Sequence, residues 1–165
     1  GLHTEDVANR IEEINLPKIK TVMYAKGHYY LYKKKNPFKH LIYPLPNSNG
    51  HGIHAGMDIE NNLRFGPNAK WVDSIEYSFD ENTLEEFCNS IKSYWVNFDP
   101  SCLSPDYTGI RSKIVAEGEG SQDFEILDAS DHGLENLIHL QGIDSPGLTS
   151  SLSIAAEVIS KLGIH

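Results

Sequence analysis

One stretch near the end of the chain restricts its fold more than any other: LIHLQGIDSPGLTSSLSIAAEVISKL, Leu137 to Leu162. An apolar run enters a tight turn and leaves it as a long helical pattern, so a strand delivers the backbone into a helix N-terminus. Ser145 suits the N-cap and Pro146 the first helical position, while Gly147, Thr149 and Ser150 keep the opening turn small. Such a terminus attracts negative charge. Leu148, Leu152, Ala155, Ile159 and Leu162 recur at spacings of four and three, which predicts one buried helical stripe.

At 165 residues, 39% of them hydrophobic, the chain can build a core of its own. The formal net charge of −9 argues against nucleic acid as a partner, because phosphate binding needs clustered cations. Lys33, Lys34 and Lys35 form the one basic run, and Asn36 and Pro37 after them mark a solvated turn. Two cysteines, Cys88 and Cys102, lack metal or redox spacing, which fits reduced thiols in a cytoplasmic setting. No window has the length of a membrane span.

Taken in order, Thr4 opens a helix with acidic residues in its first turn that should stop before Pro17, with Val7, Ile11 and Ile14 on one side. Thr21 to Tyr32, rich in aromatic and β-branched residues, reads as a strand, and His40 to Leu45 as a shorter one. Asn47 to Gly50 is a turn. Gly52 to Met57 and Asn62 to Phe65 form a hairpin, and Trp71 to Phe79 holds a further short strand. A helix runs from about Glu81 to Trp95 with Leu84, Phe87, Ile91 and Tyr94 at helical spacing, and Cys88 on its apolar side serves as a small hydrophobe. Ile110 to Val115 and Phe124 to Leu127 pair antiparallel around a polar, glycine-rich linker, and Leu137 to Gln141 is the last strand. Strands in runs make this an α+β pattern, a mixed or antiparallel sheet with flanking helices. Gly118 and Gly120 lead into a strand and lack a third glycine, so they make no dinucleotide fingerprint.

His51 and His54 sit three apart, which in a strand puts them on opposite faces, so no metal site is expected. His54 alone, flanked by small residues, is a candidate proton acceptor near neutral pH. Arg111 on a strand can grip a carboxylate through two parallel hydrogen bonds, or pair with an acidic neighbour. Tyr29, Tyr30 and Tyr32 suit either an aromatic pocket or a sheet core.

The segments AKGHYYLY, HLIYPLP, GIHAGMDIENNLRFGPNAKWVD, PDYTGIRSKI and IHLQGIDSPGLTSSLSIA, in this order, resemble the C-terminal half of the FAD-dependent oxidoreductases of the D-amino acid oxidase superfamily. Within it the chain is most similar to the L-2-hydroxyglutarate dehydrogenase or oxidase group. The resemblance implies FAD as cofactor and a small carboxylate as substrate, oxidised by hydride transfer to flavin. It places Gly142, Ile143, Ser145, Pro146, Gly147, Leu148, Thr149 and Ser150 at the flavin, Arg111 on the substrate carboxylate, and His54 at the hydroxyl proton. Lys26, Tyr29 and Tyr30 fall in the pocket-lining segment.

The same resemblance divides the chain into a helix of the FAD-binding domain (1–18), a substrate-binding domain (19–106), and return strands with the flavin-facing helix (107–165). The nucleotide-binding unit with its glycine fingerprint is absent, so the expected partner is an N-terminal FAD-binding half. The isolated chain is then expected to be inactive and empty of FAD. A peripheral membrane electron acceptor, with the protein on the inner face of a membrane, stays open. So do amine or glycerol 3-phosphate oxidation on the same fold, and a non-catalytic remnant of a split gene.

Overall fold

The computed structural model describes residues 1–45, 52–120 and 122–164. In chain order its elements begin with α1 (Thr4–Ala8), β1 (Met23–Tyr32), β2 (His54–Met57), β3 (Leu63–Gly66), β4 (Lys70–Val72) and α2 (Leu84–Lys92). They continue with β5 (Leu103–Lys113), β6 (Glu125–Leu127), α3 (Ala129–His132), β7 (His139–Gln141) and α4 (Ser151–Lys161). Residues 26–110 form one compact unit, and residues 1–25 with 111–165 form another.

The 26–110 unit is built on a mixed-length sheet in the order β2-β3-β1-β4, with β5 also paired to β1. The expected hairpin is present: β2 and β3 run antiparallel, with Ala55 opposite Phe65. Phe65 in turn lies opposite Tyr30 of β1. Because side chains alternate along a strand, this row of Ala55, Phe65 and Tyr30 shares one face. All three are at most 1% exposed, so that face is the core. Phe87 and Ile91, one turn apart on α2, cover it, and the Tyr30 and Phe87 rings stand 4.6 Å apart. The helix is led in by a short 3-10 turn, where the Asp80 carboxylate accepts from the Asn82 amide at 3.0 Å. It stops at Lys92, so Tyr94 and Trp95 pack from the following turn rather than from the helix. Cys88 is a free thiol against the same core, and burial pushes it up from its ordinary range.

Several elements differ from the expectation. His40 to Leu45 contributes a single bridge, Ile42 to Ala55, instead of a strand. The turn expected at Asn47 to Gly50, and His51, lie outside the described residues. β5 starts at Leu103, through residues that read as loop, because β1 is long enough to pair with it as well as with β3 and β4.

In the other unit β6 pairs antiparallel with β7, Ile126 opposite Leu140, and not with the strand at 110–115. That strand is part of β5, whose partner is β1. α1 ends at Ala8: the next bonds, Arg10 N–H to Val7 and Ile11 N–H to Ala8, are tighter turns, and Glu13 is left-handed at φ 66°. Ile14 is buried nonetheless. The short α3 has a capping box in which Asp128 and Asp131 each accept from the other's end of the turn, and Gly133 ends it at φ 85°.

Polar bonds knit this unit. Buried Gln141 accepts from the Lys20 amide at 3.0 Å and donates to the Lys18 carbonyl and to Glu125. Glu5 accepts from the Val22 amide at 2.8 Å, and Thr4 donates to the Leu140 carbonyl at 3.0 Å. α4 closes the chain with no buried residue. No helix among the described residues is long and apolar enough to cross a membrane.

Candidate functional site

The sequence-derived residues fall in both units, and each group has its own geometry. In the 26–110 unit, the row that buries Ala55, Phe65 and Tyr30 on one side of the sheet turns the next row to the other side. That next row begins with His54, which lies opposite Gly66. Tyr29 continues it: a Cβ on Gly66 would come 2.8 Å from Tyr29 Cδ1 and 2.6 Å from the His28 carbonyl. Gly66 has φ 141°, so backbone and space both require glycine there. Two rings therefore stand in one row, with a position that bears no side chain between them.

Neighbours fix both rings. Tyr43 packs edge-on against His54, centroids 4.4 Å apart, and Tyr107 of β5 stacks on Tyr29 at 4.5 Å and 15°. Burial and the adjacent Tyr29 hold the Tyr107 phenol above its ordinary range. The backbone just before His54 is pinned by the Tyr94 hydroxyl, which donates to the Ile53 carbonyl at 3.0 Å. Next along the sheet, Arg64 bonds Asp58 and Asp106, each at 2.5 Å. Asp58 also accepts from the Asn62 and Glu60 amides and sits at about 2, held down by Asn62 first and by Arg64. That cluster locks the β2–β3 turn. Strand alternation about Phe65 points to Gly66 in this row, whereas Tyr43 and Tyr107 reach it from segments distant in sequence that leave no local mark.

Alternation also divides the expected pocket residues. Lys26 and Tyr30 belong to the core side of β1, and Tyr29 to the opposite side. Tyr30 is 1% exposed, its hydroxyl 3.1 Å from Thr83 and its ring against Phe79 and Phe87, which makes it a core residue. Lys26 is buried too, its ammonium 3.5 Å from the Ser78 hydroxyl.

In the other unit, the turn at 142–150 is wound more tightly than a capped helix start. Ser145 and Pro146 do not begin α4, which starts five residues later with Ser150 as an N-cap whose side chain makes no capping bond. The intervening residues close smaller turns, Gly147 N–H to the Asp144 carbonyl at 2.5 Å and Ser150 N–H to Pro146 at 3.0 Å. Gly147 is required, since a Cβ would lie 2.6 Å from the Asp144 oxygen. Gly142, at φ 71°, sits against Ile114, where a Cβ would come within 2.5 Å. Asp144 is tied to Lys113 at 2.5 Å. The Leu148 and Thr149 amides donate to no acceptor among the described residues.

The expected buried stripe of α4 is not buried. Leu148 is 88% exposed and Leu152 85%, and Ile159 is exposed as well. Spacing identifies residues that share a face, but none of the described residues of this unit covers that face. Arg111 is exposed on β5, and its guanidinium bonds no side chain among the described residues. Those residues include no cluster of three or more His, Cys, Asp or Glu side chains suited to a metal ion.

Comparison with known proteins gives these features a setting. The family described as FAD dependent oxidoreductase matches residues 1–161. The chain is 32% identical to the L-2-hydroxyglutarate dehydrogenase, mitochondrial, of Arabidopsis thaliana, over 98% of this chain and 36% of that protein. It is 30% identical to a glycerol 3-phosphate oxidase of Mycoplasma genitalium, over 84% of this chain and 36% of that protein. Among solved structures, the dithionite-reduced L-α-glycerophosphate oxidase of Mycoplasma pneumoniae with FAD bound superposes with a TM-score of 0.77 at 17% identity, covering 100% of this chain and 41% of that one. The chain thus spans little more than a third of the length of the curated relatives it matches.

Proposed function

Since the chain belongs to the family of FAD-dependent oxidoreductases, we propose that it is the substrate-facing part of an enzyme that oxidises a small 2-hydroxy acid, with L-2-hydroxyglutarate as the first choice. The observation that carries this reading is the row of His54, Gly66 and Tyr29 on the side of the sheet turned away from the core. It offers a nitrogen base and an aromatic wall around a position with no side chain. The 32% identity to the Arabidopsis enzyme supports the choice of substrate.

Each residue has a distinct part. His54, held edge-on by Tyr43, takes the proton of the substrate hydroxyl. Arg111 uses its uncommitted guanidinium to hold the substrate carboxylate. Tyr29, stiffened by its stack on Tyr107, limits the width of the pocket. Lys26 and Tyr30 support the sheet from the core side instead of touching substrate.

The turn at 142–150 fits FAD: two backbone amides there are unspent, and its glycines leave the backbone bare. Gly142, Ile143 and Ser145 to Ser150 would face the flavin. When bound, FAD supplies the acceptor for the two electrons. Chain alone, without the nucleotide-binding portion of the fold, is expected to retain it poorly.

The test joins this chain to the nucleotide-binding portion of the Arabidopsis relative and follows bleaching of the flavin band without oxygen. L-2-hydroxyglutarate should bleach faster than glycerol 3-phosphate or sarcosine. Arg111→Ala should raise KM by about 10- to 150-fold, the value of one charge-assisted bond pair. Unchanged turnover of every carboxylate in Arg111→Ala would reject the assignment. A second reading, oxidation of glycerol 3-phosphate, is favoured by the Mycoplasma genitalium relative. Faster bleaching by glycerol 3-phosphate would establish it.

A further inference from the structure

The end of β5 and the residue after it fasten the turn at 142–150. The Ser112 hydroxyl donates to the Ile143 carbonyl at 3.4 Å, the Lys113 ammonium pairs with the Asp144 carboxylate at 2.5 Å, and Ile114 fills the space that a Cβ on Gly142 would need. The middle contact joins charges, and in it Asp144 works twice. Its carbonyl accepts the Gly147 N–H that closes the turn, while its carboxylate, only 12% exposed, is bound to the ammonium. A carboxylate so shielded from water depends on its cation, because removing one partner of such a pair strands the other charge.

Alternation determines what stands beside this pair. Ser112 is buried, so Arg111 and Lys113 occupy the other side of the strand. Two steps of a strand put them about 7 Å apart. Two cations therefore share one side, and one carboxylate is bound to one of them, while Arg111 bonds no side chain among the described residues. We propose that Lys113 and Asp144 are positioning residues for the oxidation assigned above. Asp144 neutralises Lys113, which leaves Arg111 as the cation offered to the substrate carboxylate, and the pair anchors the flavin-assigned turn to the strand that carries Arg111. This role rests on the functional reading of Arg111 and the turn. Hydride transfer tolerates little error in the placement of its reactants. Here the carboxylate grip and the turn are held in register by neighbouring residues of one strand.

The charges give the two halves of the pair opposite effects on carboxylate binding. Lys113→Met strands the Asp144 carboxylate beside Arg111, which it recruits, so the substrate loses its cation. Asp144→Asn releases Lys113 as a second cation beside Arg111, so carboxylates bind at least as well while the turn loses its anchor. A pair that only stabilised the fold would weaken binding in both variants.

The first arm of the test uses the free chain, without FAD or substrate, with circular dichroism to confirm folding. The Arg111 Nε–H should exchange with water about tenfold more slowly in Lys113→Met, the lower value of one charge-assisted hydrogen bond, and return to the wild-type rate in Lys113→Arg. Asp144→Asn strands no carboxylate and decides the anchoring even if Lys113→Met does not fold: amide exchange at Gly147 and Ser150 should rise about tenfold. The second arm uses the chain joined to the nucleotide-binding portion of the Arabidopsis relative, titrated with glutarate, a dicarboxylate without a hydroxyl to oxidise, and read by the change in the flavin spectrum. Lys113→Met should weaken glutarate by about tenfold or more, Lys113→Arg should restore it, and Asp144→Asn should bind it as tightly as the wild type or more tightly while flavin reduction slows. Unchanged exchange at Arg111 in folded Lys113→Met, unchanged exchange of the turn amides in Asp144→Asn, or equal weakening of glutarate in both single variants overturns the proposal. A wild-type enzyme that ignores glutarate counts against the substrate reading instead, and the free-chain arm then decides the role of the pair.

Discussion

The two units solve the problem of stability differently. The 26–110 unit buries Tyr30, Tyr32, Phe65, Phe87 and Phe98 together, with rings at edge or tilted contact, and its buried polar groups, Lys26, His28, Asn68 and Thr83, are additions to that ring core. In the other, the buried hydrophobics are Ala8, Ile14, Val22 and Ala25, and beside them lie His132, His139 and Gln141. The apolar residues of α4 face outward. A core of large rings draws most of its stability from apolar contact, whereas a core of small aliphatics and buried amides leans more heavily on each hydrogen bond. The unit with the exposed face is thus also the one whose interior tolerates least disturbance to its polar partners.

The sharpest way to break this comparison is to remove a ring. Phe87 is fully buried, so Phe87→Ala should cost about 3–5 kcal/mol in urea unfolding. Trp71 and Trp95 both lie in 26–110, so tryptophan fluorescence follows that unit. Leu152→Ala, a truncation that costs about 2–5 kcal/mol in a packed core, should stay within about 0.5 kcal/mol on exposed α4. Equal costs would mean that α4 is covered in the free chain. A smaller effect separates the polar unit: Gln141→Leu leaves the Lys20 amide, the Lys18 carbonyl and Glu125 without their partner. Amide exchange at residues 125–141 should report a loss of about 1–3 kcal/mol. In the aromatic unit, Tyr30→Phe removes one hydrogen bond to Thr83 and keeps the ring, so its cost should be about 0.5–1.5 kcal/mol.

The same contrast explains what the sequence made legible. The β2–β3 hairpin is readable because Ile53, Ala55, Leu63 and Phe65 alternate with polar or small residues around a turn. The helix over 84–92 is readable because Phe87 and Ile91 repeat at helical spacing. Alternation also separates Tyr29 from Tyr30, but a reading by segment places both in the pocket. Less is legible in the other unit. The spacing of Leu148, Leu152 and Ile159 gives a face, yet a face does not say what lies against it. β6 pairs with β7 because the strand at 110–113 is committed to β1, a long-range choice that leaves no local mark. α4 starts later than Ser145 and Pro146 suggest, because these satisfy capping preference while Gly147 allows a tighter turn that spends the same residues. β5 begins earlier than its sequence suggests, because Pro105 and the polar residues beside it look like a loop.

The smallest expected effect is a pH dependence confined to the polar unit. His139 is buried, its Nε2 has no hydrogen-bond partner among the described residues, and burial, then the neighbouring His132, hold its pKa below the ordinary histidine value. The native state therefore binds fewer protons than the unfolded chain as pH falls below about 6.5. Stability of this unit must then rise with pH across that window and be fully present above it, because the unfolded state takes up the proton first. Amide exchange at residues 125–141 should show protection falling as the pH is lowered from 7.5 to about 5.5, after correction for the intrinsic rate. His139→Asn should flatten that slope, while the fluorescence of Trp71 and Trp95 stays constant over the same range. A loss that starts only near pH 4, where carboxylates protonate, would assign the acid sensitivity to ion pairs such as Lys20 with Glu125 instead. The buried histidine would then be a passive part of the interior.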